Sequence, residues 1–81
     1  MTATYTPEQT ETSKLLTVVN ELKQLYDFKR NRVNELEASL GRAVVKDPDG
    51  DHSSLIELIR CESAARDAYD TSWKAVNRLR A

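Results

Sequence analysis

The segment from Asp47 to Asp51 constrains the fold of this chain more than any other part of its sequence. It combines one proline, one glycine and three aspartates, the residue types that favour tight turns and interrupt helices. Long stretches without proline lie on both sides of it, and the only other glycine is Gly41. The chain has 81 residues, the size of one small domain. The sequence therefore predicts two arms joined by a turn, within a single helical-hairpin domain over residues 1–81.

The first arm has the pattern of a long amphipathic helix. Thr6 and Pro7 form a start signal, because threonine caps helices and proline fits the first helical position. Apolar residues then recur at close to 3.6-residue intervals, with one interruption at Lys29. These positions are Leu15, Val18, Val19, Leu22, Leu25, Tyr26, Val33, Leu36, Leu40 and Val44. We expect one helix over about residues 7–46, in which Gly41 is the one position where the helix could bend or end.

The second arm repeats this pattern after the turn. Asp51 and Ser53 are candidate helix caps. Apolar residues again follow the helical spacing, at Leu55, Leu58, Ile59, Ala65, Ala68, Tyr69, Trp73, Val76 and Leu79. No stretch alternates apolar and polar residues with a period of two, so no strand is predicted. The predicted fold class is all-α, with a turn at residues 47–52 and a second helix over about residues 53–80.

Two amphipathic helices joined by a short turn pack antiparallel as a hairpin. Folding the chain about Gly50 places Lys29 opposite Tyr69. A two-helix hairpin has one interface and no enclosed core, which rarely gives net stability in water. The apolar residues near the start of helix one also cover more of its circumference than one partner helix can bury. We therefore expect self-association into a helical bundle, as a dimer or higher oligomer, through Leu15, Leu16, Val18, Val19, Leu22 and Trp73.

Composition and charge argue against several classes of function. Twelve Lys and Arg residues against thirteen Asp and Glu leave a formal net charge of −1, which makes nucleic-acid binding an unfavourable interpretation. No apolar run approaches the about 20 residues that a membrane span needs. The N-terminus has neither the basic region nor the apolar region of a secretory signal, so the sequence predicts a cytoplasmic protein.

The turn contains alternating aspartates of the kind that open an EF-hand calcium loop. Counted from Asp47, however, the positions that need glycine and a bidentate acid hold His52 and Leu58. A turn with helix-capping aspartates is the better interpretation. Cys61 and His52 are the only residues with nucleophile or soft-metal chemistry, and one of each makes neither a zinc site nor a catalytic pair. We predict no catalytic, cofactor or metal site.

The basic run from Lys29 to Arg32 interrupts the apolar pattern of helix one. Together with Arg66, the residues Lys29, Arg30 and Arg32 could form an anion site, because basic groups flanked by aromatic residues hold phosphate groups and stacked bases. The alternative is a polar layer between the helices, in which Glu62, Asp67 or Asp70 neutralises the arginines. We favour the polar layer, because charged runs on amphipathic helices are usually neutralised or solvated.

These features favour a small non-enzymatic module that forms homo-oligomers and binds a protein partner. The alternative is an oligomer that sequesters an anionic small molecule such as a nucleotide. A helix, an Asp- and Pro-containing turn and a second helix in about eighty residues also resemble, in size and topology, type III secretion needle subunits, their chaperones and phage proteins that block host defences. This resemblance implies a small bacterial or phage protein that acts by assembly or by binding.

Overall fold

A computed structural model describes residues 7–80 of the chain, with side chains described from residue 12 onward. It contains two α-helices, α1 over Pro7–Lys46 and α2 over Ser53–Arg80, which pack against each other as a hairpin. The described residues contain no strand. Both helices agree with the bounds predicted from the sequence, and the all-α hairpin is confirmed. The proposed cap at Thr6 lies outside the described residues.

Helix α1 continues through Gly41 without interruption. A Cβ atom added at Gly41 would meet nothing within 4 Å, so this glycine does not serve a close approach within the hairpin. A single glycine costs about 1 kcal/mol relative to alanine in a helix interior. The good helix formers on both sides outweigh that cost, and α1 ends only at the proline-containing turn.

The turn between the helices is held by short-range hydrogen bonds. The carbonyl of Asp47 accepts a hydrogen bond from the Gly50 N–H at 3.1 Å and lies 2.8 Å from Nε2 of His52. At the start of α2, Oδ1 of Asp51 accepts the N–H of Ser53 at 2.9 Å. These bonds satisfy backbone groups that the helix ends leave without helical partners. Of the two cap candidates, Asp51 supplies the acceptor.

The contact between the helices follows the heptad spacing of a coiled-coil seam, with alternate steps of four and three residues. The seam positions of α1 are Leu15, Val19, Leu22, Tyr26, Lys29, Val33, Leu36, Leu40 and Ala43. The seam positions of α2 are Leu55, Ile59, Glu62, Arg66, Tyr69, Trp73 and Val76. The sequence pattern had grouped Leu25, Val44, Ala68 and Leu79 with these residues, but all four are exposed. The seam is narrower than the band of apolar residues in the sequence, so these four side chains lie outside the contact between the helices.

Two contacts across the hairpin set the alignment of the helices. Nζ of Lys29 lies 2.7 Å from Oε2 of Glu62, and Nζ of Lys23 lies 5.8 Å from the ring centroid of Trp73. The sequence-based fold placed Lys29 opposite Tyr69, whereas the ion pair shows that the Lys29 side chain reaches Glu62, nearer the turn, so that pairing is wrong. Lys29 and Glu62 both occupy seam positions, so their long side chains meet between the helices, which a symmetric fold about the turn does not take into account.

The hairpin is elongated and has a thin core. Its extents are 70 × 22 × 16 Å, and the buried hydrophobic residues in the described part are Val19, Val33 and Leu36. The chain exposes 6240 Å², whereas a compact monomer of this mass exposes about 4,900 Å². Neither helix is long and apolar enough, over its described residues, to cross a membrane.

Candidate functional site

A polar layer interrupts the seam near the middle of the hairpin. Lys29 projects from α1 at a seam position and pairs with Glu62 of α2, with only 24% and 18% of the two side chains exposed. The Lys29 Nζ also lies 5.8 Å from the ring centroid of Phe28. Glu62 therefore neutralises Lys29 within the hairpin, as expected for a polar layer between the helices.

The other members of the predicted anion site take no part in the contact between Lys29 and Glu62. Nε of Arg66 donates to Oδ1 of Asp67 at 3.0 Å, and the Arg30 guanidinium lies 5.8 Å from the Tyr26 ring centroid. Arg32 is exposed and makes no ion pair with any described residue. Arg30 and Arg32 are two residues apart on α1, so they point to opposite sides of the helix. An anion site shared between copies of the chain stays a prediction.

The acidic partners also differ from those expected. Glu62 pairs with Lys29 rather than with an arginine, and Asp70 accepts a hydrogen bond from Lys74 at 3.1 Å. Among the expected acid–arginine pairs, only Asp67 with Arg66 is present in the described residues. Glu62 therefore neutralises Lys29 and not an arginine, which corrects that part of the prediction.

Trp73 lies at the centre of a cluster of charged groups. Its Nε1 donates to Oδ1 of Asp70 at 3.2 Å, and the same carboxylate holds Lys74 through Oδ2. The ammonium groups of Lys23 and Lys74 lie 5.8 and 5.9 Å from the ring centroid of Trp73, within the range of cation–π attraction. Trp73 is half-buried, and its indole N–H has a partner, which suits an aromatic anchor at a surface.

These groups define one broad side of the hairpin. Lys23 and Asp70 each directly follow a seam residue, and both approach Trp73, so residues in this position share a side. Arg30 follows the seam residue Lys29 in the same way. We call this side the aromatic–cationic face; it comprises Lys23, Tyr26, Arg30, Asp70, Trp73 and Lys74.

The opposite broad side is apolar along α2 and mixed along α1, where the exposed charged residues Lys14, Glu21, Arg32, Glu35 and Arg42 also directly precede a seam residue. Residues that directly precede a seam residue lie there, together with those one turn beyond them. From α1 this side receives Val18, Leu25 and Phe28, which are all exposed. From α2 it receives Leu58, Cys61, Ala65, Ala68, Ser72, Ala75 and Leu79, of which only Ala65 is half-buried and the rest are exposed. We call these ten residues the apolar face.

On α1, charged residues accompany the apolar face. Leu25 and Phe28 line a shallow depression together with Glu21 and Gln24. Phe28 lines a second one, with Asn31, Arg32 and Glu35. The α2 half of the apolar face carries no charged side chain over its seven residues. The two halves of this face therefore differ in polarity.

In the structure, the residues of the predicted oligomer interface differ in how exposed they are. Val19 is buried within the single chain, and Leu15 and Leu22 are half-buried seam residues. The expectation that the surface around Val19 has no cover within the chain is therefore wrong for that residue. Leu16 and Val18 are exposed, so they are available to a second chain.

Sequence reasoning missed Phe28 as a surface residue. Its side chain is 64% exposed, more than that of most large apolar residues in the described chain. The signal was present as a second heptad pattern, because Phe28 lies three residues after Leu25 and Leu25 lies seven after Val18. The alanines of the α2 half follow the same spacing beside the seam.

Within residues 12–80, no group of three or more His, Cys, Asp or Glu side chains is arranged to hold a metal ion, the aspartates of the turn included. Cys61 is exposed, and its thiol lies 4.0 Å from a Glu57 carboxylate oxygen. No protein-family model, no curated protein and no solved structure matches this chain.

Proposed function

We propose that this protein is a non-enzymatic interaction module, a helical hairpin that self-associates through its apolar face and binds a protein partner. The observation that carries this proposal is the distribution of large apolar side chains. In the described residues nine are exposed, whereas only three hydrophobic residues are buried. Five of the nine, Val18, Leu25, Phe28, Leu58 and Leu79, belong to the apolar face, and exposed apolar patches mark interaction sites in proteins.

The thin core supports the same proposal on energetic grounds. A domain of this size gains stability from disulfides, metals, ligands or partner chains when its own core is small. The chain has one cysteine and therefore no internal disulfide. A second copy that covers the apolar face would supply the missing burial.

The aromatic–cationic face is the surface that we assign to a protein partner. It combines a half-buried tryptophan, a tyrosine and several basic groups on the side opposite the apolar face. Trp, Tyr and Arg are the residues that dominate binding energy at protein interfaces. Self-association through the apolar face would leave this side accessible.

Thermal unfolding over a hundred-fold range of protein concentration, followed by circular dichroism, tests self-association. Because dimerisation stabilises the folded state by mass action, we expect Tm to rise with concentration. A Tm independent of concentration, together with a mass of 9.2 kDa by light scattering, would contradict the proposal.

The same experiment distinguishes the interaction module from the alternative function, sequestration of an anionic small molecule. Addition of inorganic phosphate or ATP at constant ionic strength should leave Tm unchanged for an interaction module. A rise in Tm with ATP that is lost in Arg32→Ala would instead support sequestration of an anionic small molecule, because a ligand that binds only the native state stabilises it.

The protein partner is tested by affinity capture from the cells that produce the protein, with wild type and a Lys23→Glu, Arg30→Glu variant in parallel. We expect one protein to be captured by the wild type and lost from the variant. Equal capture by both would show that the aromatic–cationic face does not bind it.

A further inference from the structure

We propose that the α2 half of the apolar face pairs with the same surface of a second copy, antiparallel about a two-fold axis, with Glu57 of each copy beside Arg78 of the other. This inference rests on the proposed self-association and adds the surface, the orientation and the residues that select it. The occupant of the α2 half is therefore another copy of this chain.

The α2 half forms a second heptad stripe beside the seam. Its residues lie alternately three and four positions apart from Leu58 to Leu79, over about 32 Å of helix. A helix with two adjacent heptad stripes has the pattern needed to pack against two neighbours, as helices in a four-helix bundle do. Within the hairpin, α1 occupies only one of these stripes.

The residue types of this stripe fit an antiparallel copy. In an antiparallel pair, each stripe position faces a complementary position of the other helix, as in heptad packing. Centring the two-fold axis next to Arg66 places Leu58 opposite Ala75, Cys61 opposite Ser72, and Ala65 opposite Ala68. Leu58 then meets a small side chain, and the two central pairs are small on both sides, so the two helix backbones can approach closely.

Charges beside the stripe select the antiparallel orientation. Glu57 directly precedes Leu58, and Arg78 directly precedes Leu79, so both lie at the same edge of the stripe. With the two-fold axis at this position, Glu57 of one copy lies beside Arg78 of the other, and the contact occurs twice. A parallel pair would instead place like charges together, which destabilises.

Both charged groups are available for this contact. Arg78 makes no ion pair with any described residue. Glu57 lies 3.3 Å from Arg60, in a pair in which both side chains are mostly exposed. Exposed pairs of this kind contribute little to stability, so Glu57 can turn to a second partner at small cost.

The excess exposed area is larger than what such an interface removes. The chain exposes 6240 Å², roughly 1,300 Å² more than a compact monomer of its mass. A specific interface typically covers about 800 Å² on each partner. One two-fold contact along the α2 half would therefore remove most of the excess.

The first test compares the same substitution, alanine to glutamate, at two exposed positions. Ala68→Glu places a carboxylate at the centre of the proposed contact, whereas Ala38→Glu places one on the outer surface of α1. We expect the dimer dissociation constant, measured by sedimentation, to rise about ten-fold or more for Ala68→Glu because a charge would be buried there. Ala38→Glu should leave it unchanged. Equal dissociation constants for Ala68→Glu and the wild type would overturn the inference.

A cysteine pair tests the orientation. Residue 72 of one copy faces Cys61 of the other, so oxidised Ser72→Cys should run as a covalent dimer. In the wild type, the two Cys61 side chains lie about 16 Å apart along the helix axis and should not crosslink. Asn77→Cys, on the other side of α2, is the matched control. No covalent dimer of Ser72→Cys, or equal crosslinking of the control, would overturn the orientation.

The charge pair is tested by reversal. Glu57→Arg and Arg78→Glu should each weaken dimerisation several-fold, and the double variant should restore it, because the opposite charges are then exchanged. Additive weakening in the double variant would overturn the proposed contact.

Leu25→Glu, on the α1 half of the apolar face, separates this inference from the proposed function. If Leu25→Glu dissociates the oligomer while Ala68→Glu does not, self-association stands and its assignment to α2 is wrong. If the wild type is monomeric at every concentration, the proposed function itself is wrong.

Discussion

At the scale of single residues, the polar layer of the seam depends on the pairing of Lys29 with Glu62. The break in the apolar pattern at Lys29 was visible in the sequence and predicted a polar layer. The partner of Lys29 was not, because Glu62 comes within reach only in the observed alignment of the helices. Sequence spacing identifies seam positions more readily than it identifies which of them meet.

The pairing of Lys29 with Glu62 predicts how the stability of a single and a double variant compares with that of the wild type. Glu62→Gln leaves the partly buried Lys29 ammonium without a counter-charge, so we expect a loss of about 1–3 kcal/mol in the free energy of unfolding. Replacing the pair with Lys29→Met and Glu62→Leu together should recover that loss, because apolar side chains fill the layer without desolvating charges. Chemical denaturation with urea measures both.

Arg32→Ala is the control for these variants. Arg32 is exposed and has no ion pair in the described chain, so its removal should change stability by less than about 0.5 kcal/mol. A destabilising Arg32→Ala together with a neutral Glu62→Gln would show that Arg32, and not Lys29, neutralises the layer.

We predict that the stability of the fold depends on pH through Asp51. The hydroxyl and then the backbone N–H of Ser53 bond to its carboxylate and hold the pKa of Asp51 below its ordinary value. The unfolded chain lacks these bonds, so Asp51 stabilises the fold above the ordinary value of about 3.9. This contribution is lost as pH falls through the lowered folded pKa.

An NMR titration of the Asp51 carboxyl checks this prediction. Ser53→Ala removes the hydroxyl bond, so the pKa of Asp51 should rise toward its ordinary value. The urea-unfolded chain should show that ordinary value directly. Identical titration in folded wild type, Ser53→Ala and unfolded chain would show that the cap at α2 does not bind the carboxylate.

At the scale of the helices, the sequence predicted the bounds but not the surface that each helix buries. Pro7 and the turn at residues 47–52 determine where α1 begins and ends, through local backbone chemistry that is readable in the sequence. The apolar residues, in contrast, cover a band wider than one seam. A spacing of 3.6 residues fits the whole band, whereas contact with α2 selects the narrower heptad set.

Two identical substitutions in α1 test this seam. Val33 is 1% exposed and Val45 is 82% exposed. Val33→Ala should therefore lower the free energy of unfolding by about 2 kcal/mol, through lost burial and the cavity left behind. Val45→Ala should change it by less than about 0.5 kcal/mol. Similar effects of the two substitutions on the urea midpoint would show that the seam is placed wrongly.

For the whole molecule, the two-arm pattern was sufficient to predict an all-α hairpin. It was not sufficient to show which surfaces remain uncovered, because that depends on how α2 lies on α1. Phe28 and Ala68 belong to the apolar face, whose heptad spacing is present in the sequence but is separated from the seam only once the packing of the helices is known. The expected self-association thus keeps its physical reason, a thin core, but shifts from the surface around Val19 to the apolar face.

A native mass spectrum of the purified wild-type protein tests this account most directly, because it reports the oligomer and any bound small molecule together. We predict a dimer or a higher multiple of the 9.2 kDa chain, without additional mass. A spectrum with only the 9.2 kDa monomer at all concentrations, or an oligomer that carries a stoichiometric anionic ligand, would contradict it.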